Sequence, residues 1–294
     1  MSKDVTSVRY AFPAEIKYGL TDFIETGLGI SYVRGGMPSK TTGYVGSGYY
    51  TDIYYVDEMR GMTDLLLYAS LRLPVAYKFF DMSLGGGIYL PTARHQPGQP
   101  QHSLASVERV IVDDLGEYTV TEKQIYYRYD IPNGSGVPVY RLAGSAKMTV
   151  RKISLQADGF FLFPAKTGTN IRWSHSLHNG VFSYTSEEYE YLTDRSVYVN
   201  AALHYQINGW LDVHLTGACF ASSGGWTERY GRKYAHPEQK LWTMEPGFAI
   251  QVSPALTFYQ TVTIPVSGKN IDGWFGVSIT ASFNLFPFFK EKTP

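Results

Sequence analysis

At 294 residues the chain suits about two ordinary domains or one large β-barrel. Aromatic residues make up 15% of it and charged residues 18%, against roughly 25% charged in a typical soluble domain, so its surface is aromatic-rich and charge-poor. Lys plus Arg and Asp plus Glu both number 26, and this zero net charge leaves no electrostatic footprint for nucleic acid.

The single cysteine, Cys219, cannot form an internal disulfide, and no Cys/His spacing suits structural zinc. Gly and Pro follow no Gly-X-Y period, and a hydrophobic content of 44% excludes general disorder. No stretch reaches the roughly 18 apolar residues of a membrane helix. The richest run is Phe283-Asn284-Leu285-Phe286-Pro287-Phe288-Phe289. Met1-Ser2-Lys3-Asp4-Val5-Thr6 lacks the apolar core of a signal peptide, so an exported protein is expected to have lost its leader.

In chain order, apolar residues alternate with polar ones in segment after segment. The first are Val8/Tyr10/Phe12/Ala14/Ile16, Ile24/Leu28/Ile30/Tyr32, Leu65/Leu67/Ala69/Leu71/Leu73/Val75/Tyr77 and Leu84/Gly86/Ile88/Leu90. Next come Tyr140/Leu142/Ala146/Met148, Ile153/Leu155/Ala157/Phe161/Phe163, Val197/Val199/Ala201/Leu203/Tyr205 and Leu211/Val213/Leu215/Cys219. The last are Trp242/Met244/Phe248/Ile250/Val252, Leu256/Phe258/Val262/Ile264/Val266 and Phe275/Val277/Ile279/Ala281/Phe283/Leu285. A period of two is that of a strand with one apolar and one polar face.

The connections alternate in length. Short ones fall at 18–22, 79–82, 149–152, 207–209 and 253–255, and longer links at 35–62, 91–136, 164–195, 224–239 and, less long, 267–272. Tight turns at one end and long loops at the other describe an outer-membrane barrel, with periplasmic turns and extracellular loops. In lipid every backbone group must bond within the sheet, so a closed barrel spans with its apolar residues outward. Tyr10, Tyr32, Tyr77, Phe161, Tyr205 and Trp242, near segment ends, are candidates for the interfacial girdles.

The expected fold is therefore all-β: one transmembrane antiparallel up-and-down barrel over residues 1–294, with eleven strands visible. Bacterial barrels carry an even number with both termini periplasmic. The preferred total is twelve, the missing strand lying ahead of Val8 or being supplied irregularly by residues 1–7 and another segment. The expected location is the bacterial outer membrane.

Three segments carry a resemblance: Tyr18-Gly19-Leu20-Thr21-Asp22 leading into Ile24-Glu25-Thr26-Gly27-Leu28-Gly29; Leu84-Gly85-Gly86-Gly87-Ile88-Tyr89-Leu90-Pro91-Thr92; and Ser253-Pro254-Ala255-Leu256 followed by Ile264-Pro265-Val266-Ser267-Gly268. They resemble the outer-membrane proteins of the meta-pathway phenol-degradation family, relatives of hydrocarbon and fatty-acid channels. The resemblance runs from residue 8 to 286 and implies passive uptake of small solutes, aromatic or apolar ones among them. It carries over no catalytic residue. The insert at about 94–136 departs from that pattern.

Alternation assigns to the lumen Arg9, Glu15, Lys17, Glu25, Arg72, Arg141, Lys147, Gln156, Asp158, Asn200, His204, Asp212, His214, Glu245 and Gln251, five basic and five acidic. A channel for one ion sign would show a one-signed ring, so this lining favours a neutral solute or a salt-bridged plug. The turn at Asn208-Gly209 makes a hairpin that sets His204 opposite His214 or Asp212. Two imidazoles and a carboxylate can bind a transition metal or act as a general base. The spacing shows no further ligand or nucleophile, so the adopted reading is polar lining, with no catalytic residue, metal or cofactor. Gly85-Gly86-Gly87 lacks the Lys-Ser/Thr of a phosphate-binding loop.

The chief expectation is an outer-membrane channel for passive uptake, not an enzyme. One alternative is an outer-membrane lipid hydrolase with a rim site drawn from His95, His102, His175, His178 and His236 with Ser103, Ser174 or Ser176. The other is an adhesive barrel binding through its Tyr-rich loops, such as Tyr44, Tyr49, Tyr50, Tyr54 and Tyr55, or Tyr184, Tyr189 and Tyr191. Expected partners are outer-membrane lipids, lipopolysaccharide and a small-molecule solute. Glu187-Glu188 could join lipopolysaccharide through divalent cations.

Overall fold

A computed structural model describes residues 8–45, 49–74, 79–113, 116–178, 181–270 and 276–283. Side chains are described except in 8–10, 37–57, 102–127, 129–131, 175–182 and 283. Among the described residues there is no helix, and the strands in chain order are β1 (Val8–Gly19), β2 (Ile24–Val45), β3 (Tyr49–Met62), β4 (Leu65–Leu73), β5 (Phe80–Leu90), β6 (Gln101–Asp113), β7 (Gly116–Ile131), β8 (Val139–Val150), β9 (Ile153–Pro164), β10 (Gly168–His178), β11 (Val181–Leu192), β12 (Arg195–Gln206), β13 (Leu211–Ser223), β14 (Trp226–Arg229), β15 (Arg232–Ala235), β16 (Gln239–Ser253), β17 (Leu256–Lys269) and β18 (Gly276–Phe283).

Eleven of these form an antiparallel up-and-down half-barrel in the order β1-β2-β4-β5-β8-β9-β12-β13-β16-β17-β18. They are the segments whose period-two pattern marks them in the sequence. Because their number is odd and every neighbouring pair is antiparallel, β1 and β18 run in the same direction. The expected twelfth strand has no counterpart among the described residues, and Val75, Tyr77, Phe275 and Leu285 fall outside them.

Register converts the alternation into two faces. One row runs Leu71, Leu84, Gly144, Gly159, Val199, Cys219, Trp242. Another runs Phe80, Met148, Leu155, Leu203, Leu215, Pro246. These rows are apolar yet open to their surroundings: Leu203 is 52% exposed and Val199 51%. A soluble domain rarely exposes apolar surface in such continuous rows. Only six apolar residues are buried among those described, so the sheet wraps no conventional core.

The short turns are fixed by local chemistry. Thr21 Oγ1 accepts from the amides of Phe23 and Ile24 at 3.2 and 3.0 Å. Asn208 Oδ1 accepts from Trp210 and Leu211 at 3.0 and 2.9 Å, the side chain standing in for a backbone turn carbonyl. Arg151 takes a left-handed φ of 55° between β8 and β9.

The expected long loops are corrected by the structure: most of their length is strand. β2 runs 22 residues, pairing β1 and β4 through its first half and β3 through its second. The 94–136 insert, whose weak alternation over Val107–Val112 and Tyr118–Tyr129 already suggests strands reaching beyond the membrane, is the β6/β7 hairpin, joined to β3 by parallel pairing of Ile53–Met59 with Ile125–Ile131. The 164–195 link is the β10/β11 hairpin, and β14/β15 adds to it through Tyr191–Thr227 and Leu192–Trp226. Extended backbone satisfies its donors and acceptors most completely by pairing, and the Tyr, Thr and Val in these links favour strands.

Candidate functional site

Recesses lined by polar-face residues mark that face as the concave side of the half-barrel. Row by row, Lys17 stands level with Gly27, Tyr68, Gly87 and Arg141, and Arg72 with Ser83, Ser145, Asp158 and Asn200. Lys147 is level with Gln156, Ala202, Thr216 and Glu245. His204 pairs directly with His214, which leaves Asp212 the diagonal neighbour and settles the two registers the hairpin allowed. Glu15, Glu25 and Gln251 fall on the same face by register. Arg9 pairs with Gly35 in β1, and its side chain lies outside the described residues.

Two recesses open on this face. One, about 500 Å³, is lined by Glu25, Arg72, Asp81, Lys147, Gln156 and the serines Ser70, Ser83 and Ser145. The other, about 350 Å³, brings together Glu15, Lys17, Tyr68, Arg141, Asp158, Phe160, Tyr198 and Asn200. Charges pair across short distances, Lys17 lying 3.4 Å from Glu15 and Arg72 bonding Asp81, and neutral Gln156 Nε2 donates to Asp158 at 2.7 Å. Mixed signs at close range cancel the field along the face, so its specificity lies in hydrogen bonds and ring surfaces.

Those rings are what the polar reading of the alternation left out. Phe160 and Tyr198 stack at 5.1 Å, and the Arg141 guanidinium sits 5.1 Å from the Phe160 ring. Arg141 Nε is buried without a hydrogen-bond acceptor among the described residues. Tyr68 lies across Gly27, where a Cβ would run into its ring. The signal was present: Phe160 and Tyr198 alternate with outward Phe161 and Val197, and parity alone places them inside.

The rim is braced by Asp64, Ser135 and Asp194, which the sequence did not single out, together with Tyr191 and His236. Asp64, 7% exposed, accepts from Ala93 N at 3.1 Å and from Ser135 N and Oγ at 2.7 and 2.6 Å. The Tyr191 hydroxyl donates to Ser135 O, and burial pushes its pKa above the ordinary tyrosine value. Asp194 Oδ1 accepts from Gly225 N at 2.8 Å and lies 3.2 Å from His236 Nδ1, while His236 Nε2 faces Thr227 Oγ1 at 2.8 Å. This chain of contacts ties the β14/β15 hairpin to the end of β11.

Of the rim candidates, His102, His175, His178, Ser103 and Ser176 have side chains outside the described residues, as do Tyr44, Tyr49, Tyr50, Tyr54 and Tyr55. Ser174 Oγ is taken up by Thr185 Oγ1 at 2.5 Å.

No family model matches the sequence, and no curated protein matches it. The structure is similar to the crystal structure of an outer membrane channel from Pseudomonas putida F1, with a TM-score of 0.53 and 11% identity over 94% of this chain and 82% of that one. A second match, the open form of the ferric-catecholate import receptor Fiu from E. coli K12, has a TM-score of 0.26 and 10% identity over 94% of this chain and 46% of that one, too low to inform the fold. The outer-membrane barrel implied by the three turn segments agrees with the first. The chain has the fold of an outer-membrane β-barrel.

Proposed function

We infer that the protein is an outer-membrane channel for passive uptake of a small solute. The observation that carries this reading is the division of one sheet into an exposed apolar convex face and a concave face bearing recesses of solute size. Lipid suits the first and water the second. The likeness to a structure described as an outer membrane channel supports the same reading.

The chemistry of the smaller recess favours a ring-bearing solute. Tyr68, Phe160 and Tyr198 offer π faces, and the Arg141 guanidinium lines the same recess beside the Phe160 ring. An aromatic ring carrying a carboxylate or phenolate meets both demands, by stacking and by a charge-assisted hydrogen bond. In place, the protein would touch outer-membrane lipid and lipopolysaccharide outside and solute inside.

The test is liposome swelling and single-channel conductance of the folded protein, with benzoate, benzyl alcohol and glucose as solutes. Permeation of all three in wild type, with benzoate fastest, is expected. Arg141→Ala should slow benzoate severalfold while leaving benzyl alcohol within about twofold, since removing one charge-assisted hydrogen bond costs on the order of 1.5 kcal/mol. A folded wild-type protein that passes none of the three overturns the channel reading. Equal slowing of all three by Arg141→Ala overturns the role of Arg141.

A further inference from the structure

We propose that His204, Asp212 and His214 form a binding site for a divalent transition-metal ion of the zinc type on the concave face. Spacing alone gives two imidazoles and a carboxylate on one hairpin. The structure adds their convergence: one donor atom from each residue lies within 4.8 Å of the other two.

Two donors on one ion with bonds of about 2.0–2.1 Å stand roughly 3.3 Å apart in tetrahedral geometry. His204 Nδ1 and Asp212 Oδ1 are already 3.1 Å apart. The two rings are tilted by 34° with centroids 5.2 Å apart, and the His214 donor lies within 4.8 Å of the other two.

The surroundings of His214 suit a ligand more than a lining residue. Its Nε2 faces Thr261 Oγ1 at 3.4 Å, and its Nδ1 is buried with no hydrogen-bond partner among the described residues. A ring that donates from Nε2 to an oxygen presents an unprotonated Nδ1, the form in which imidazole binds metal, and such an outer hydrogen bond is how metal-binding histidines are oriented. Gly247, opposite His214, holds the space open: a Cβ there would run into both His214 Nε2 and Gln260 O. Glu245 lies on the same face one row along, opposite Thr216, and adds a second negative charge nearby. Three protein ligands leave a fourth position open for water or for an anionic solute.

Calorimetric titration of the folded protein in detergent micelles with Zn²⁺ tests this whether or not the barrel conducts. Binding of one ion at micromolar Kd or tighter is expected. His204→Ala/His214→Ala should weaken it by roughly a hundredfold or more, and Asp212→Asn by about tenfold or more, since even outer-shell changes cost 10–100-fold. Five histidines remain in the double variant, so equal binding by it and by wild type overturns the site. A second measurement needs no variant. Footprinting of wild type with diethyl pyrocarbonate should show Zn²⁺ shielding His204 and His214; unchanged reactivity of the pair overturns the proposal.

Discussion

The two faces of the half-barrel are made by the same strands with the same backbone, yet they obey opposite rules. On the convex face Leu203, Leu215 and Pro246 form one apolar row that stays exposed among the described residues. On the concave face, one residue along, the next row is Ala202, Thr216 and Glu245, where Ala202 is buried and Glu245 accepts a hydrogen bond from Thr243. A covered core would bury the first row and hydrate the second. Here the exposed row is the apolar one, and the difference teaches that two solvents, lipid and water, are written into alternate positions of each strand.

The sharpest way to break that comparison is a charge placed on either side of one peptide bond. Leu215→Arg should reduce the stability of the inserted barrel by about 2–4 kcal/mol, with less heat-modifiable, folded protein recovered. Thr216→Arg, facing Ala202 and Glu245, should fold as well as wild type. Equal tolerance at the two positions removes the assignment of faces.

A smaller effect separates the barrel from its rim. Asp64→Ala leaves the amides of Ala93 and Ser135 without their acceptor, at about 1–3 kcal/mol for each buried group. The loss should appear as faster proteolysis between residues 91 and 137, while the eleven-stranded sheet keeps its resistance to heat. Unfolding of the whole molecule would show that rim and barrel form one cooperative unit.

The smallest effect concerns Glu238, whose carboxyl is held below the usual carboxylate range by a hydrogen bond from Lys269 and by the charges of Lys269 and Lys240. A depressed carboxylate contributes stability above its unfolded pKa and loses it as pH falls through the folded one. Because the pair is exposed and screened, Glu238→Gln should leave the acid limb of the thermal-melt profile nearly unchanged. A clear shift would mean that the β15–β16 connection carries more of the structure than its exposure implies.

How far the sequence reached differs between barrel and rim. Period two in segments such as Ile153–Phe163 needed no knowledge of neighbours, because each strand faces lipid on one side and water on the other along its whole length. In the links the faces meet other hairpins, and alternation fades. Tyr184–Tyr191, with Glu187, Glu188 and Glu190, reads as a polar loop, yet β11 pairs along its full length with β10. The same limit holds for the concave site. Parity places the charged residues on the face, whereas apolar Tyr68, Phe160 and Tyr198 carry the signature of the opposite face, and the register puts them inside.

The sequence by itself determined the fold class and the eleven alternating strands, because these depend on a local period and on backbone groups that must bond within a sheet. Only the tertiary structure decided which residues meet. His204 falls opposite His214 rather than Asp212 because the turn fixes the register, Arg141 reaches Phe160 because β8 pairs with β9, and Asp64 gathers amides from segments about 30 and 70 residues away. Register and long-range pairing are properties of the folded sheet, where a shift of one residue exchanges the faces; no local pattern encodes such meetings.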